Sequence, residues 1–238
     1  MLRNINEICG TRLAATDGTI GHVKDFYFDD ESWIVRYLIV DTGSWLTGRQ
    51  VLLSPHAFDG FGPEGEILSV NLTREQIENS PSIESQRPVT RQQERDYYHY
   101  YSWPAYWEAT GLWGTSGVTG LMPPAEIAAD VDPLDDIHLR STRAVTGYDI
   151  KATDGKLGKV SGFMVDHKSW AIADLVVETG HWYSGKQILI SPAAVVGVNF
   201  GSSEVSVKLT RADLARTCRD QVARQAPSNA DDVRQAQL

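Results

Sequence analysis

A mainly β protein is predicted, built of two small antiparallel barrels related by internal duplication, with an aromatic-rich connecting strap and short C-terminal helices. Three observations predict it. First, 42 residues from Ala14 to Pro55 recur without a gap as Lys151 to Pro192, at an offset of 137, and 20 of the aligned positions are identical. Second, the repeated runs are rich in β-branched and aromatic residues and are bounded by Gly, Asp and Pro, the pattern of short strands between tight turns. Third, one unit is only about 80 residues, a size at which a single core is marginal, so two copies gain by covering each other's apolar faces. A repeat this long is a whole small domain, not a solenoid unit.

Taken in order, Met1 to Ile8 and the equivalent stretch before Gly147 read as short strands entering each unit. Asp17-Gly18 and Asp154-Gly155 are turn dipeptides in which glycine is expected at positive φ. Gly21 and Gly158 open the next strand and suit a bulge or a close backbone approach. Val23–Phe28 and Trp33–Val40 form a hairpin about the turn Asp29-Asp30-Glu31-Ser32, matched by Val160–Val165 and Trp170–Val177 about Asp166-His167-Lys168-Ser169. Asp29 and Asp166 are expected to accept hydrogen bonds from turn amides, and the repeated Trp33 and Trp170 to be buried. Leu38-Ile39-Val40 and Leu175-Val176-Val177 are apolar on both faces, as in a barrel strand that a neighbour also covers. Val51–Leu53 and Ile188–Ile190 end at Ser-Pro, because proline lacks the donor that a ladder needs. Further strands at Ile67–Leu72 and Val205–Leu209 lead into helix starts at Thr73 and Thr210, with Gln76 three residues after the first cap and Asp213 three after the second.

The domain reading is 1–80 for the first barrel, 81–137 for the connecting segment, 138–215 for the second barrel and 216–238 for a helical extension and tail. The connecting segment escapes the repeat. It concentrates eight aromatic residues between Tyr97 and Trp113, too many for a plain flexible linker. Its plain reading is a strap packed on one or both barrels. Its functional reading is a recognition surface, with Tyr100, Tyr101, Trp103 and Trp107 as contacts and Arg91 and Arg95 at the rim.

A formal net charge of −9 disfavours nucleic acid and anionic membrane surfaces. No stretch is long enough to span a bilayer, and Cys9 and Cys218 at opposite ends suggest no disulfide framework, so a cytoplasmic location is expected. The six histidines lack HExxH or other close ligand spacing, so neither metal nor cofactor is expected. Ser54 and His56 lack a nucleophile elbow, and the second copy has Ala193 where the first has His56. No catalytic residue is assigned.

The pattern Asp17-Gly18 to Gly21, Asp29, Leu38-Ile39-Val40-Asp41 and Val51-Leu52-Leu53-Ser54-Pro55, with its second-copy equivalents, resembles the PRC-barrel domain. That family is named for the cytoplasmic barrel of the photosynthetic reaction centre H subunit, and the ribosome-maturation factor RimM carries a related barrel. The chain more closely resembles free-standing bacterial proteins with tandem PRC barrels. The resemblance implies small β-barrels that usually bind other proteins, and no catalytic set. The expected function is therefore a non-enzymatic interaction or scaffold module, with a protein partner or a second copy of the chain. A small-ligand sensor is the alternative, and an RNA-processing accessory role stands behind it.

Overall fold

The computed structural model describes residues 1–46, 49–62, 65–81, 89, 91–103, 139–180, 185–214 and 216, with the side chain of Arg91 also outside the description. The first half runs β1 (Leu2–Asn4), α1 (Ile5–Ile8), β2 (Arg12–Ala15), β3 (Gly18–Asp29), β4 (Ile34–Asp41), β5 (Gln50–Leu53), β6 (Phe58–Phe61), β7 (Ile67–Val70) and α2 (Arg74–Glu78). Helix α3 (Arg91–Tyr101) follows. The second half repeats the order as β8 (Leu139–Ser141), α4 (Thr142–Val145), β9 (Asp149–Ala152), β10 (Gly155–Asp166), β11 (Ile172–Thr179), β12 (Gln187–Ile190), β13 (Val195–Asn199) and β14 (Glu204–Val207). Two seven-stranded sheets of the same organisation result, with six strands in the orders β5-β4-β3-β2-β7-β6 and β12-β11-β10-β9-β14-β13 and a seventh, β8 on β3 and β1 on β10.

The expectation of wholly antiparallel sheets is corrected at one ladder in each half. β2 runs parallel to β7, and β9 runs parallel to β14. The intervening hairpins carry the chain away and return it in the same direction, which a parallel pair requires. The entry segments differ as well. Each gives a short strand and then a helical turn, capped by the side chains of Asn4 and Ser141, which accept from the amides of Asn6 and Ala144.

The halves exchange their first strands. β1 pairs with β10 of the second half, with Leu2 opposite Asp166 and Asn4 opposite Met164. β8 pairs with β3 of the first, with Leu139 opposite Asp29 and Ser141 opposite Tyr27. Shifting either ladder by 137 generates the other. The Val35 amide donates to the Trp170 carbonyl at 2.9 Å, and the Ile172 amide to the Trp33 carbonyl at 2.8 Å. These reciprocal contacts have the character of a two-fold interface between identical subunits, here within one chain.

The turn that builds this seam follows from the repeated aspartate. Asp29 Oδ1 accepts from the amides of Glu31 and Ser32, and Asp166 Oδ1 from those of Lys168 and Ser169. Each turn closes on a tryptophan at φ 57°, a left-handed conformation that costs a bulky residue about 1–2 kcal/mol. Burial offsets it. Trp170 is 4% exposed and lies among Phe26, Phe58 and Phe61, while Trp33 stacks on Phe28, which itself meets Phe163 of the other half. A single apolar core thus runs through both halves.

The glycine expectations hold at two sites in each copy. Gly18 and Gly155 have φ of 153° and 133°. A Cβ on Gly21 would stand 2.0 Å from the Asp41 carbonyl oxygen, and one on Gly158 the same distance from that of Glu178. The Asp-Gly turns also explain why the helix starts recur. Asp17 accepts from the Arg74 amide at 2.8 Å and Asp154 from the Arg211 amide at 3.1 Å, so each turn aspartate caps the helical turn that ends its own half. Thr73 and Gln76 form the anticipated capping box, and Thr210 and Asp213 make the corresponding exchange.

Candidate functional site

The strap is where the halves differ most. Residues 91–101 form a helix, which the sequence reading had not assigned, and it packs on the outer face of β4 and β5. Glu94, Tyr97, Tyr98 and Tyr101 fall on one face at helical spacing. Tyr97 and Tyr98 are buried, and each meets the Tyr37 ring edge-on, at 6.2 and 6.3 Å. Ile39, Leu52, Val89 and Leu139 complete this second apolar cluster. The apolar character of both faces of β4 is thereby accounted for. Leu38 and Val40 face the main core, and Ile39 faces the strap.

Polar groups are buried here too. Glu94 is fully buried and accepts a 2.5 Å hydrogen bond from the Tyr37 hydroxyl. Arg36 is buried as well, and bonds to Asp29 and Ser32. The Tyr98 hydroxyl is held above its usual range, burial outweighing its hydrogen bonds to Ser54 and Tyr37. Burial first, and the Arg36 guanidinium second, hold the His56 imidazole below its ordinary range. Ser54 does not serve His56 as a nucleophile serves its base. Its Oγ accepts from the His56 backbone amide and caps the 3-10 turn Pro55–Ala57. Burial also pushes the Cys9 thiol up to about 11, with Asp25 adding to the effect, so this cysteine is a weak nucleophile near neutral pH.

The predicted contact residues divide across this element. Tyr101 and Trp103 are half-buried and stack at 4.4 Å, 13° from coplanar. Tyr100 is 38% exposed, meets Tyr101 edge-on at 4.8 Å, and donates its hydroxyl hydrogen to the Gln76 carbonyl. Arg95 is exposed on the outer side of α3. Arg91 opens the helix, its side chain lying outside the described residues, as does the whole of Trp107. The Tyr100 bond belongs to a joint that sequence reasoning missed. Arg49 also donates to the carbonyls at the end of α2, from Glu78 and Ser80, so the last carbonyls of that helix are satisfied by two side chains. The second copy has Lys186 in place of Arg49, and that substitution was the available signal.

Among the described residues no group of three or more His, Cys, Asp or Glu side chains is arranged to hold a metal ion. Nor is any described helix long and apolar enough to cross a membrane. The geometry defines a mainly β chain of two similarly organised halves that differ most on their outer surfaces. In agreement with the sequence pattern, the family model for the PRC-barrel domain matches residues 2–76, the first half up to the start of α2. No curated protein matches the chain.

Proposed function

We propose that the chain is a non-catalytic interaction module of the PRC-barrel type, and that it binds a protein partner across the outer edge of α3. One observation carries this reading. The strap buries Tyr97 and Tyr98 and leaves Tyr100, Tyr101 and Trp103 as a stacked, partly exposed ladder, with Arg95 exposed on the opposite flank of the same helix. Tyrosine and tryptophan bury apolar area while keeping a polar edge, and with arginine they dominate binding energy at protein interfaces. The polar network beneath holds the ladder on a rigid support, which lowers the entropic cost of association.

The test is capture from native extract on wild-type protein and on a Tyr100→Ala/Arg95→Glu variant with an unchanged thermal melt. Loss of a partner from the folded variant is the expected result, and Arg91→Glu and Trp107→Ala extend the map along the strap. Identical partner sets for all variants would remove the surface from consideration. Size-exclusion chromatography of the same proteins tells a second copy of the chain from a different protein.

A further inference from the structure

Two cavities lie at the seam between the halves, and they are two-fold mates. One, of about 910 Å3, is lined by Asp30, Glu31, Trp33, Arg140, Val195 and Val198, among others. The other, of about 530 Å3, is lined by the equivalents His167, Lys168, Trp170, Arg3, Phe58 and Phe61. Both volumes suit a small molecule. Their charged residues differ: Asp30 and Glu31 in the larger become His167 and Lys168 in the smaller, which also carries Asp59 where its mate has Val196.

In the larger cavity the arginine is already neutralised. Arg140 Nε donates to Asp30 Oδ2 at 3.0 Å, and its guanidinium covers the Phe200 ring at 3.7 Å. In the smaller cavity His167 stands where Asp30 would be. Arg3 lies 4.2 Å over the Phe61 ring and makes no ion pair among the described residues. Its flat face is used on the aromatic ring, and among the described residues no carboxylate pairs with its donor edge, although Asp59 also lines the cavity. Lys168 replaces Glu31 and adds a second cation at the rim, also without an ion pair among the described residues. His167 is half-buried, and its Nδ1 is 2.8 Å from the Met1 carbonyl oxygen, so Nδ1 donates and Nε2 is left for a ligand. The floor is aromatic, with Trp170 4.8 Å from Phe58 and 6.4 Å from Phe61. Valines replace both phenylalanines in the mate.

We propose that the smaller seam cavity binds a small oxyanion, a carboxylate or phosphate, carried on a flat apolar body. The Arg3 fork and Lys168 hold the anion, and the ring surfaces of Phe58, Phe61 and Trp170 hold the body. The mate cavity carries its own counter-charge and takes no such ligand. This site is separate from the α3 surface, so either stands if the other fails.

The test is isothermal titration of the full chain with benzoate, phenyl phosphate and neutral benzamide. Saturable one-to-one binding of at least one anion is expected, with Kd about 1 mM or tighter for probes of this size, and none of benzamide. The two anions distinguish a carboxylate site from a phosphate site. Arg3→Gln should weaken binding about tenfold or more, as loss of a bidentate charge-assisted contact does. Should that variant fail to fold, His167→Asp/Lys168→Glu decides the matter. It recreates at half-buried His167 and exposed Lys168 the acidic pair of the mate cavity, giving Arg3 an internal carboxylate, and should abolish binding with the melt unchanged. Glu31→Gln in the mate cavity should leave binding intact. Absence of saturable binding by either anion, or binding that survives both Arg3→Gln and the double variant, would overturn the proposal.

Discussion

The first half places Tyr27, Tyr37 and His56 on its outer face, where the second has Met164, Asp174 and Ala193. Beneath those faces the halves agree at Asp29 and Asp166, at Trp33 and Trp170, and at Gly21 and Gly158. The positions that agree set the backbone, through an aspartate turn, a left-handed tryptophan and a carbonyl seated against a bare glycine. The positions that differ decide what each half meets on its outside. Asp25 gives a sharper instance within the seam. Its buried carboxylate accepts from the Ser141 and Thr142 hydroxyls and from the amides of Arg143 and Phe26, and so anchors the exchanged α4. The equivalent residue is Gly162, against which Asn6 lies, donating to the Ser161 carbonyl at 2.9 Å. One exchanged arm is held by a carboxylate and the other by an amide.

The largest test of this comparison separates the halves. Residues 1–103 alone lack both β8 and Trp170, and no cooperative melt is expected of them. Mixing them with residues 138–238 should restore one, read by near-UV dichroism. An autonomous melt of the first fragment would mean that the exchange adds nothing essential.

Trp170→Ala should cost about 3–5 kcal/mol in urea unfolding, and Trp33→Ala a similar amount, because each empties a large buried volume at equivalent seam positions. A loss at one and none at the other would break the two-fold equivalence. Asp25→Ala should cost about 2–4 kcal/mol, since it leaves several buried donors unpaired. Asn6→Ala, at the other arm, should cost less than about 1.5 kcal/mol. Equal losses would erase the asymmetry between the arms.

The smallest expected effect is a pH slope. His56 has a depressed pKa in the folded state, so below its ordinary value of 6.5 the unfolded chain binds more protons than the folded one. Stability is therefore undiminished above that pH and falls as the pH drops through and below it. Melting temperatures measured at about pH 7.5 and about pH 5.5 should fall further for wild type than for His56→Ala, matching the second half's Ala193. Identical slopes would place the acid sensitivity elsewhere.

Much of this was legible from the constant offset alone, because a gapless repeat at twenty identities commits both copies to one backbone. The Asp29 turn, the buried tryptophans and the capping box at Thr73 were each readable from local chemistry. The strand exchange was not. Leu2 and Leu139 are equivalent, so a strand that pairs with its own half and one that pairs with the other leave the same pattern in the sequence. The parallel ladders were hidden for a related reason, since strand periodicity carries no direction. At the strap the aromatic crowding was plain, but the helix was obscured by its polar first turns, and buried Glu94 looked like any solvated acid. The contrast between the seam cavities lay in view at His167 and Lys168, yet nothing in the sequence indicated that Arg3 sits beside them.

The exchanged first strand also sets a timetable. Met1 and Asp166 are in contact though 165 positions apart, and a ribosome adding about 5–20 residues per second needs on the order of ten to thirty seconds to travel that far. Within that span the far end of β3, from Tyr27 to Asp29, waits for its partner β8 from Asp29 to Ser141, on the order of five to twenty seconds at the same rate. An apolar strand edge left open so long invites pairing with a neighbouring nascent chain. Messages translated on crowded polysomes should therefore yield more insoluble product than sparsely loaded ones, because the arm that completes the first sheet is made long after the edge it covers.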